Sequence, residues 1–252
     1  MKEKLRGLLI PVTLIALWEI GARAGTLPPD TMSQPSVIVQ AGWEALLDGT
    51  LLLATVQTFQ TALLGLAIGA AIGITIGSLI GIFPMLEAIV GPTLDTIRPV
   101  PAVAIIPLAL LIYGFGVRME VLVITFACVW PILIVTVSAV RSIEPRLLEV
   151  ARMLEMRPLN RMMRIVLPAA LARIAVGIRV SAGVALVVAV TVEIVLNPQG
   201  LGYGMIIAAQ SLRPDLMWAE VLWVGFAGWT FNTLLLTIDR RWLQRFQAGG
   251  VR

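Results

Sequence analysis

The densest group of side chains that could do chemistry lies in residues 141–173, between two long apolar runs. This segment holds seven arginines but only three glutamates, Glu144, Glu149 and Glu155. A loop this short and this basic, beside membrane spans, is kept on the cytoplasmic side by the positive-inside rule. The segment is therefore expected to face the cytoplasm.

Within this loop the apolar residues recur at helical spacing, on the side opposite the charges. They are Leu147, Leu148, Ala151, Leu154 and Met156. Pro158 interrupts the pattern, and a second short helix can start there because proline is tolerated in a first turn. Two short helices that meet at an angle and carry an apolar face are suited to binding in a groove of another protein.

Several kinds of chemistry are excluded by composition. The chain has no histidine and a single cysteine, Cys128, which removes the usual zinc sites, histidine-based catalytic triads and disulfides. Its only lysines are Lys2 and Lys4, so no phosphate-binding GxxxxGK[ST] loop is present. We predict no metal site, no cofactor in this chain and no catalysis. If ATP drives its activity, another chain must hydrolyse it.

The overall composition is that of a polytopic membrane protein. The 252 residues are 58% hydrophobic and 13% charged, and the mean hydropathy is +0.93. Because each span needs about twenty apolar residues and no strand alternation is evident, we predict an all-α fold with about six spans. These cover residues 7–22, 56–83, 99–116, 121–140, 174–196 and 218–238.

Charge distribution orients these spans. Fifteen of the nineteen lysines and arginines fall in segments that would be cytoplasmic, including both termini. Topology thus accounts for the net charge of +4, and we predict no nucleic-acid binding. The first span contains Glu19 and lacks a cleavage site behind it, so we expect it to be retained rather than removed as a signal peptide.

A glycine at every fourth position marks the second span. The set is Gly65, Gly69, Gly73, Gly77 and Gly81. At 3.6 residues per turn these positions form a slowly winding ridge. Such a ridge lets a neighbouring helix approach backbone to backbone, and the neighbour could belong to this chain or to a second copy.

Three positions within spans are candidates for lining a transport path. The third span is short and is expected to break at Pro107, which would free backbone groups at membrane depth, although a simple kink is the alternative. Arg179 and Glu193 are ionisable residues in the fifth span, where charge is costly. We also expect Arg118 and Glu120 to mark an outer turn.

Residues 197–215 separate the last two spans. Gly200, Gly202 and Gly204 predict a flexible turn, and residues 205–212 predict a short helix. The GLGYG string within it lacks the context of a nucleotide-binding fingerprint and of a potassium filter.

The register from Glu149 to Pro168 resembles the EAA motif of binding-protein-dependent ABC importer permeases, which reads Glu-Ala-Ala, a glycine, then Ile-x-Leu-Pro. Two positions depart from it: Val150 stands for the second alanine, and Glu155 stands for the glycine that marks the bend. We therefore expect the bend to shift toward Arg157 and Pro158. By this resemblance the ATPase-coupling residues are Glu149, Ala151, Leu154, Glu155, Arg157, Pro158, Ile165, Leu167 and Pro168.

A wider resemblance covers nearly the whole chain and is strongest to the nitrate, sulfonate and taurine group. It implies a type I importer permease, with one domain over residues 1–252, a cytoplasmic coupling loop at 141–173 and an outer gate at 197–215. Gly200, Gly202 and Tyr203 would belong to that gate. The implied location is the bacterial inner membrane, in contact with lipid.

The same resemblance implies partners. Two ATPase subunits would bind ATP and Mg, a periplasmic binding protein would deliver a small anion, and a second permease, identical or paralogous, would complete the path. The alternative is an ATP-independent ion-coupled carrier or channel. The coupling-loop register argues against that alternative, as does the expected lack of a buried acidic or histidine proton relay.

Overall fold

Every regular element in the described part of this computed structural model is a helix, which confirms the predicted all-α class. The structure describes residues 2–248, and side chains for residues 9–237 apart from positions 145, 148, 152, 158 and 159. The helices are α1 (Lys2–Arg23), α2 (Pro35–Leu47), α3 (Thr50–Ile82), α4 (Pro84–Ile97), α5 (Ile106–Tyr113), α6 (Val117–Arg141), α7 (Pro145–Met153), α8 (Pro158–Arg161), α9 (Leu167–Val195), α10 (Gly200–Gln210) and α11 (Pro214–Ala248).

Four of the described helical segments are long and apolar enough to cross a membrane. They are Thr50–Ile82, Val117–Arg141, Met162–Gln210 and Pro214–Thr237. A fifth crossing is available if α4 and residues Ala102–Tyr113, which meet at 87°, count as one broken span. The predicted first span, residues 7–22, begins in a stretch whose side chains lie outside the described residues.

The predicted position of the break in the third span is wrong. Pro107 lies in the first turn of α5, where its missing N–H costs nothing. The break falls instead at residues 98–101, the sequence Arg-Pro-Val-Pro, between α4 and a short 3₁₀ turn at Ala102–Ile105. Arg98 still has helical backbone angles. Pro99 and Pro101 carry no N–H to continue the helical hydrogen bonds, and Pro101 disfavours helical backbone at Val100, so the helix ends here. In contrast α6 continues through Pro131 as one helix.

The glycine ridge of α3 lies directly against α6 of the same chain. A Cβ atom added to Gly69 would stand 2.8 Å from Cβ of Cys128, and one added to Gly77 would stand 2.8 Å from the carbonyl oxygen of Leu133. The register is constant through five contacts, which pair Gly65 with Ile124, Gly69 with Cys128, Gly73 with Ile132, Gly77 with Thr136 and Gly81 with Val140.

Because both residue numbers rise together in these pairs, α3 and α6 run parallel. The chain between them must therefore return across the same thickness before α6 begins. Only the bent α4–α5 segment lies between α3 and α6. The parallel packing thus supports counting α4 and α5 as one broken crossing.

Contacts divide the chain into two units, Met1–Thr58 with Glu193–Trp229, and Phe59–Val192 with Thr230–Arg252. The second unit contains the α3–α6 contact. In the first unit, Trp18 of α1 packs edge-on against Trp218 of α11, with ring centroids 5.5 Å apart. The Glu19 carboxylate accepts hydrogen bonds from the backbone N–H and hydroxyl of Ser36, at 3.0 and 2.8 Å, which fixes the start of α2.

Substituting Gly77 by alanine should destabilise the protein by about 1–3 kcal/mol, because the new methyl group would overlap the α6 backbone. The matched control is Gly183→Ala in α9, where no neighbouring atom lies within 4 Å. That change should be neutral or stabilising by up to about 1 kcal/mol, from alanine's higher helix propensity. Apparent Tm values of the purified variants test the pair. Equal losses in both would contradict close α3–α6 packing.

Candidate functional site

The loop at residues 141–173, here called the central loop, contains two short helices and a π-helical turn. Helix α7 covers Pro145–Met153, α8 covers Pro158–Arg161, and a π-helical segment at Met162–Val166 leads into α9. The two short helices are where the sequence predicts them. π-helical turns are rare and often mark functional positions.

The bend between the two helices occurs at Glu155, so the predicted shift toward Arg157 and Pro158 is wrong. Glu155 has a φ of +49°, in the left-handed region that glycine normally occupies. The N–H of Met156 donates to the carbonyl oxygen of Ala151 at 3.1 Å, which is the hydrogen bond of a Schellman helix end. The turn thus keeps the geometry of a glycine turn although the residue is glutamate. The side chain of Pro158 lies outside the described residues.

The expected apolar face of α7 is only partly buried. Ala151 is completely enclosed, and Ile143 just before the helix is 9% exposed. Four other apolar side chains in and just after α7 are largely exposed: Leu147 at 44%, Val150 at 51%, Leu154 at 67% and Met153 at 84%. Glu149 and Arg157 are also exposed. Leu148, also expected on this face, lies outside the described side chains. Among those described in α7, Ala151 is the one fully enclosed, and the exposed apolar residues form a surface with charges beside it.

Both ends of the loop are held in place. Ala139, Val140 and Ile143 from the α6 end form one buried cluster with Val166, Ala170 and Ile174 from the α9 end. The Arg141 guanidinium donates to the Glu87 carboxylate, and that of Arg173 donates to the Ser142 hydroxyl. Among the predicted coupling residues, Leu167 is half-buried against this cluster, Ile165 is half-buried, and Pro168 is exposed. Motion of the loop therefore moves the ends of α6 and α9 with it.

In the other unit, the Glu193 carboxylate anchors the start of α10. It is 1% exposed. One of its oxygens accepts a hydrogen bond from the Thr58 hydroxyl at 2.7 Å, and the other accepts one from the Gly202 N–H at 2.9 Å. Thr58 in turn accepts the N–H of Leu201 at 2.9 Å. The first N–H groups of a helix lack helical partners and carry partial positive charge, so a carboxylate there is stabilised by both effects.

Gly200 makes this anchor possible. Its φ is +86°, and a Cβ atom there would collide with the Glu193 carboxylate. Its N–H donates to the Gln57 side-chain oxygen at 3.0 Å. The predicted flexible turn at Gly200, Gly202 and Gly204 is wrong, because these glycines form the first turns of α10. Gly200 and Gly204 are needed for the close approach of the Glu193 and Glu220 carboxylates rather than for mobility.

The remaining predicted path residues lie on α5, α9 and α10. Arg179 is partly buried in α9, within the unit that does not include Glu193. Tyr203 is 37% exposed. Pro107 is exposed on α5. Their roles in a path stay predictions.

A set of buried polar residues was not predicted from the sequence. Thr58 and Thr61 are at most 1% exposed in α3, and the Thr61 hydroxyl donates to Glu120 at 2.5 Å. Glu120 was expected at an outer turn but is fully buried, whereas Arg118 is exposed. The signal was the polar string TVQTFQT at residues 55–61 of an otherwise apolar span.

A family profile described as "Binding-protein-dependent transport system inner membrane component" matches residues 69–247. The chain belongs to this family. Permeases of this kind include the putative aliphatic sulfonates transport permease of Bacillus subtilis strain 168, which is 30% identical over 95% of this chain and 87% of its own length. The taurine transport permease of Escherichia coli K12 is 26% identical over 85% of this chain and 78% of its own length.

Solved structures show the same fold. An amino acid ABC transporter with histidines aligns at a TM-score of 0.62 and 18% identity, covering 78% of this permease and 97% of that chain. The inward-facing MetNI methionine ABC transporter aligns at a TM-score of 0.58 and 19% identity, covering 83% and 99%. The predicted type I importer permease fold is confirmed.

Family membership does not favour the ion-coupled carrier alternative. The expected lack of buried acidic residues is wrong, however, since Glu120 and Glu193 are both buried. Glu193 accepts hydrogen bonds from fixed backbone and hydroxyl groups, which is the arrangement of a structural anchor.

Substituting Gly200 by alanine should release α10, because it adds both backbone strain and a collision with Glu193. The matched control is Gly49→Ala, where φ is +83° but no atom lies within 4 Å. The stability of the control should fall only by the cost of placing alanine in left-handed backbone, about 1–2 kcal/mol. Amide hydrogen exchange over residues 200–210 should accelerate in the Gly200 variant alone. Equal exchange in both variants would contradict the anchor.

Substituting Glu155 by glycine should raise stability by about 1 kcal/mol, because glycine adopts the left-handed backbone without penalty. Met153→Gly is the control, since that residue is 84% exposed inside α7 and should lose about 1 kcal/mol of helix propensity. Thermal unfolding of the purified permease measures both. A lower Tm for the Glu155 variant would show that the strain is absent in solution.

Proposed function

We propose that this permease forms the membrane path of an ATP-driven importer for a small oxyanion. The central loop would bind a separate ATPase subunit, and a binding protein would deliver the cargo at the opposite membrane face. A second permease copy or a paralogue would pair with it about a two-fold axis, since one set of helices encloses too little space for a path.

The exposed apolar surface of α7 carries the ATPase part of the proposal. A short helix in water normally buries its apolar side, but Leu147, Val150 and Leu154 are all exposed. Ala151 is the one enclosed residue among the side chains that the structure describes in α7. Such a face is suited to insertion into a hydrophobic groove. The arginines around it favour a cytoplasmic location, which is where ATP is available. Glu149, Arg157 and Pro158 would complete the contact.

The energy source lies outside this chain. The sequence contains no phosphate-binding loop, so ATP and Mg would be bound by the partner subunits. Closure of those subunits on ATP would displace the loop together with the fixed ends of α6 and α9. The resulting change is a two-state switch biased by nucleotide.

The α10 anchor is proposed as part of the outer gate. It holds Gly202 and the adjacent Tyr203 in a fixed place through Glu193. Helix α9 runs without interruption from Leu167, beside the loop, to Val195, beyond Glu193. It is thus the element by which loop displacement would reach the gate. Both termini would then lie in the cytoplasm, with the chain in the bacterial inner membrane.

The cargo class follows from the relatives. Their names specify aliphatic sulfonates, taurine and bicarbonate. All three carry an oxyanion group on a small molecule, so we assign this chemistry to the permease as well. The ligand of the binding protein that co-purifies with it would identify the compound.

Glu149→Lys should release the ATPase subunit while leaving the fold intact, because Glu149 is exposed beside the α7 apolar surface. Its carboxylate is expected to face the groove, so charge reversal should weaken the complex by about tenfold or more. Co-purification of the ATPase with tagged permease from membranes measures the effect.

Asp30→Lys provides the control, since Asp30 is exposed outside the loop and undergoes the same charge reversal. It should retain the ATPase. Uptake of an oxyanion by membranes that lack any ATPase, or equal ATPase retention in both variants, would overturn the proposal.

A further inference from the structure

A cavity of about 580 Å³ lies between α4 and α6, in the unit that contains the central loop. This volume is within the usual range of about 300–1,000 Å³ for small-molecule sites. Helix α4 has no buried residue along its 14 residues. Glu87, Gly91, Leu94 and Asp95 of this helix border the space between α4 and α6.

The α6 side chains that line the cavity change from apolar to charged along the helix. Trp130 lies at one end, Leu133, Ile134 and Val137 follow, and Arg141 lies at the other end. Their spacing of three and four residues places them on one face, and eleven residues of helix span about 16 Å. The cavity is thus apolar at one end and charged at the other. The indole N–H of Trp130 is buried without a hydrogen-bond partner.

Four ionisable side chains surround the charged end: Glu87, Asp95, Arg98 and Arg141. The Glu87 carboxylate accepts a hydrogen bond from Arg141. Arg98 forms no ion pair with any described acid, although Asp95 lies one turn before it. One arginine is therefore occupied by the chain's own carboxylate, and a second is available for an external anion.

We propose that this cavity binds an amphiphile that has an anionic oxyacid head and a short aliphatic tail. The head replaces the Glu87 carboxylate on Arg141 and also contacts Arg98. The tail lies along Leu133 and Val137 and ends near Trp130. Arginine recognises sulfonate and phosphate oxygens through paired N–H donors, which makes this end selective for an oxyacid.

Two sources share this chemistry. One is an aliphatic sulfonate in transit, and this assignment rests on the proposed function. The other is an anionic phospholipid of the bilayer. Either would bind three residues before α7, because Ser142 borders the cavity and α7 begins at Pro145.

The test uses the permease purified with its partner subunits in phosphatidylcholine nanodiscs, and 6-bromohexanesulfonate as the probe. Bromine quenches indole fluorescence on contact, so binding should produce saturable quenching. Trp130→Phe should remove that component and leave the signal of the other six tryptophans. Methanesulfonate, which has a head but no tail, should compete at least about tenfold less well.

Two variants change the affinity in opposite directions. Arg98→Gln should weaken probe binding about tenfold, because a charge-assisted contact is lost. Glu87→Gln should strengthen it about three- to tenfold, because the internal competitor for Arg141 loses its charge, and Asp95→Asn should strengthen it as well. A misfolded variant cannot gain affinity, so the Glu87 variant remains informative if the Arg98 variant fails to fold. Non-saturable quenching, or the same affinity in all three variants, would overturn the proposal.

Replacing part of the phosphatidylcholine by phosphatidylglycerol separates the sources. Strong competition with the probe identifies a lipid site. Weak competition, with hexanesulfonate uptake altered by Arg98→Gln, identifies a cargo site. Both outcomes support an anionic-amphiphile cavity. Loss of this binding leaves ATPase co-purification unaffected, so its failure is distinguishable from failure of the proposed function.

Discussion

The contact between α3 and α6 is the constraint on which the larger unit depends. Five glycines bring one helix backbone against the other, in a register that stays constant from Gly65 to Gly81. In a bilayer, apolar side chains gain little from leaving lipid, so close van der Waals contact has to provide the stabilisation. The parallel direction of this pair then requires the intervening chain to cross back. The return crossing by the α4–α5 segment follows from that requirement, and the Arg-Pro-Val-Pro sequence at residues 98–101 decides where the segment bends.

Buried acidic residues in this permease are held by donors that the fold supplies. Glu193 is met by the Thr58 hydroxyl and a backbone N–H of α10, and Glu120 is met by the Thr61 hydroxyl. An isolated carboxylate in an apolar interior costs several kcal/mol, and fixed hydrogen bonds offset much of that cost. These residues therefore specify which helices meet. Their chemistry is that of anchors between helices, which differs from the relay of a proton-coupled carrier.

Both ends of the central loop are attached to a buried cluster, but the loop also exposes apolar side chains of α7. Its ends share one buried cluster through Ile143 and Val166, while Ala151 is the one enclosed residue among the described side chains of α7. A segment held at both ends in this way is expected to move as a rigid body when a partner protein binds it. The left-handed Glu155 shows that the bend is imposed by the surrounding structure, since glutamate does not favour this conformation by itself.

The amino-acid sequence by itself determined the all-helical class, four of the six predicted spans, the two helices of the loop and the spacing of the glycine ridge. These are local properties, because hydrophobic length, period and proline position act within one segment. The resemblance of Glu149 to Pro168 also indicated the family.

Only the tertiary structure decided which helix meets the ridge, where the bend at Glu155 falls, and that Gly200 begins a helix. It alone placed Glu120 and Glu193 among their donors and opened the cavity between α4 and α6. The physical reason is that each of these depends on residues distant in the chain. Glu193 and Thr58 are 135 positions apart, and no pattern within either segment records that they meet.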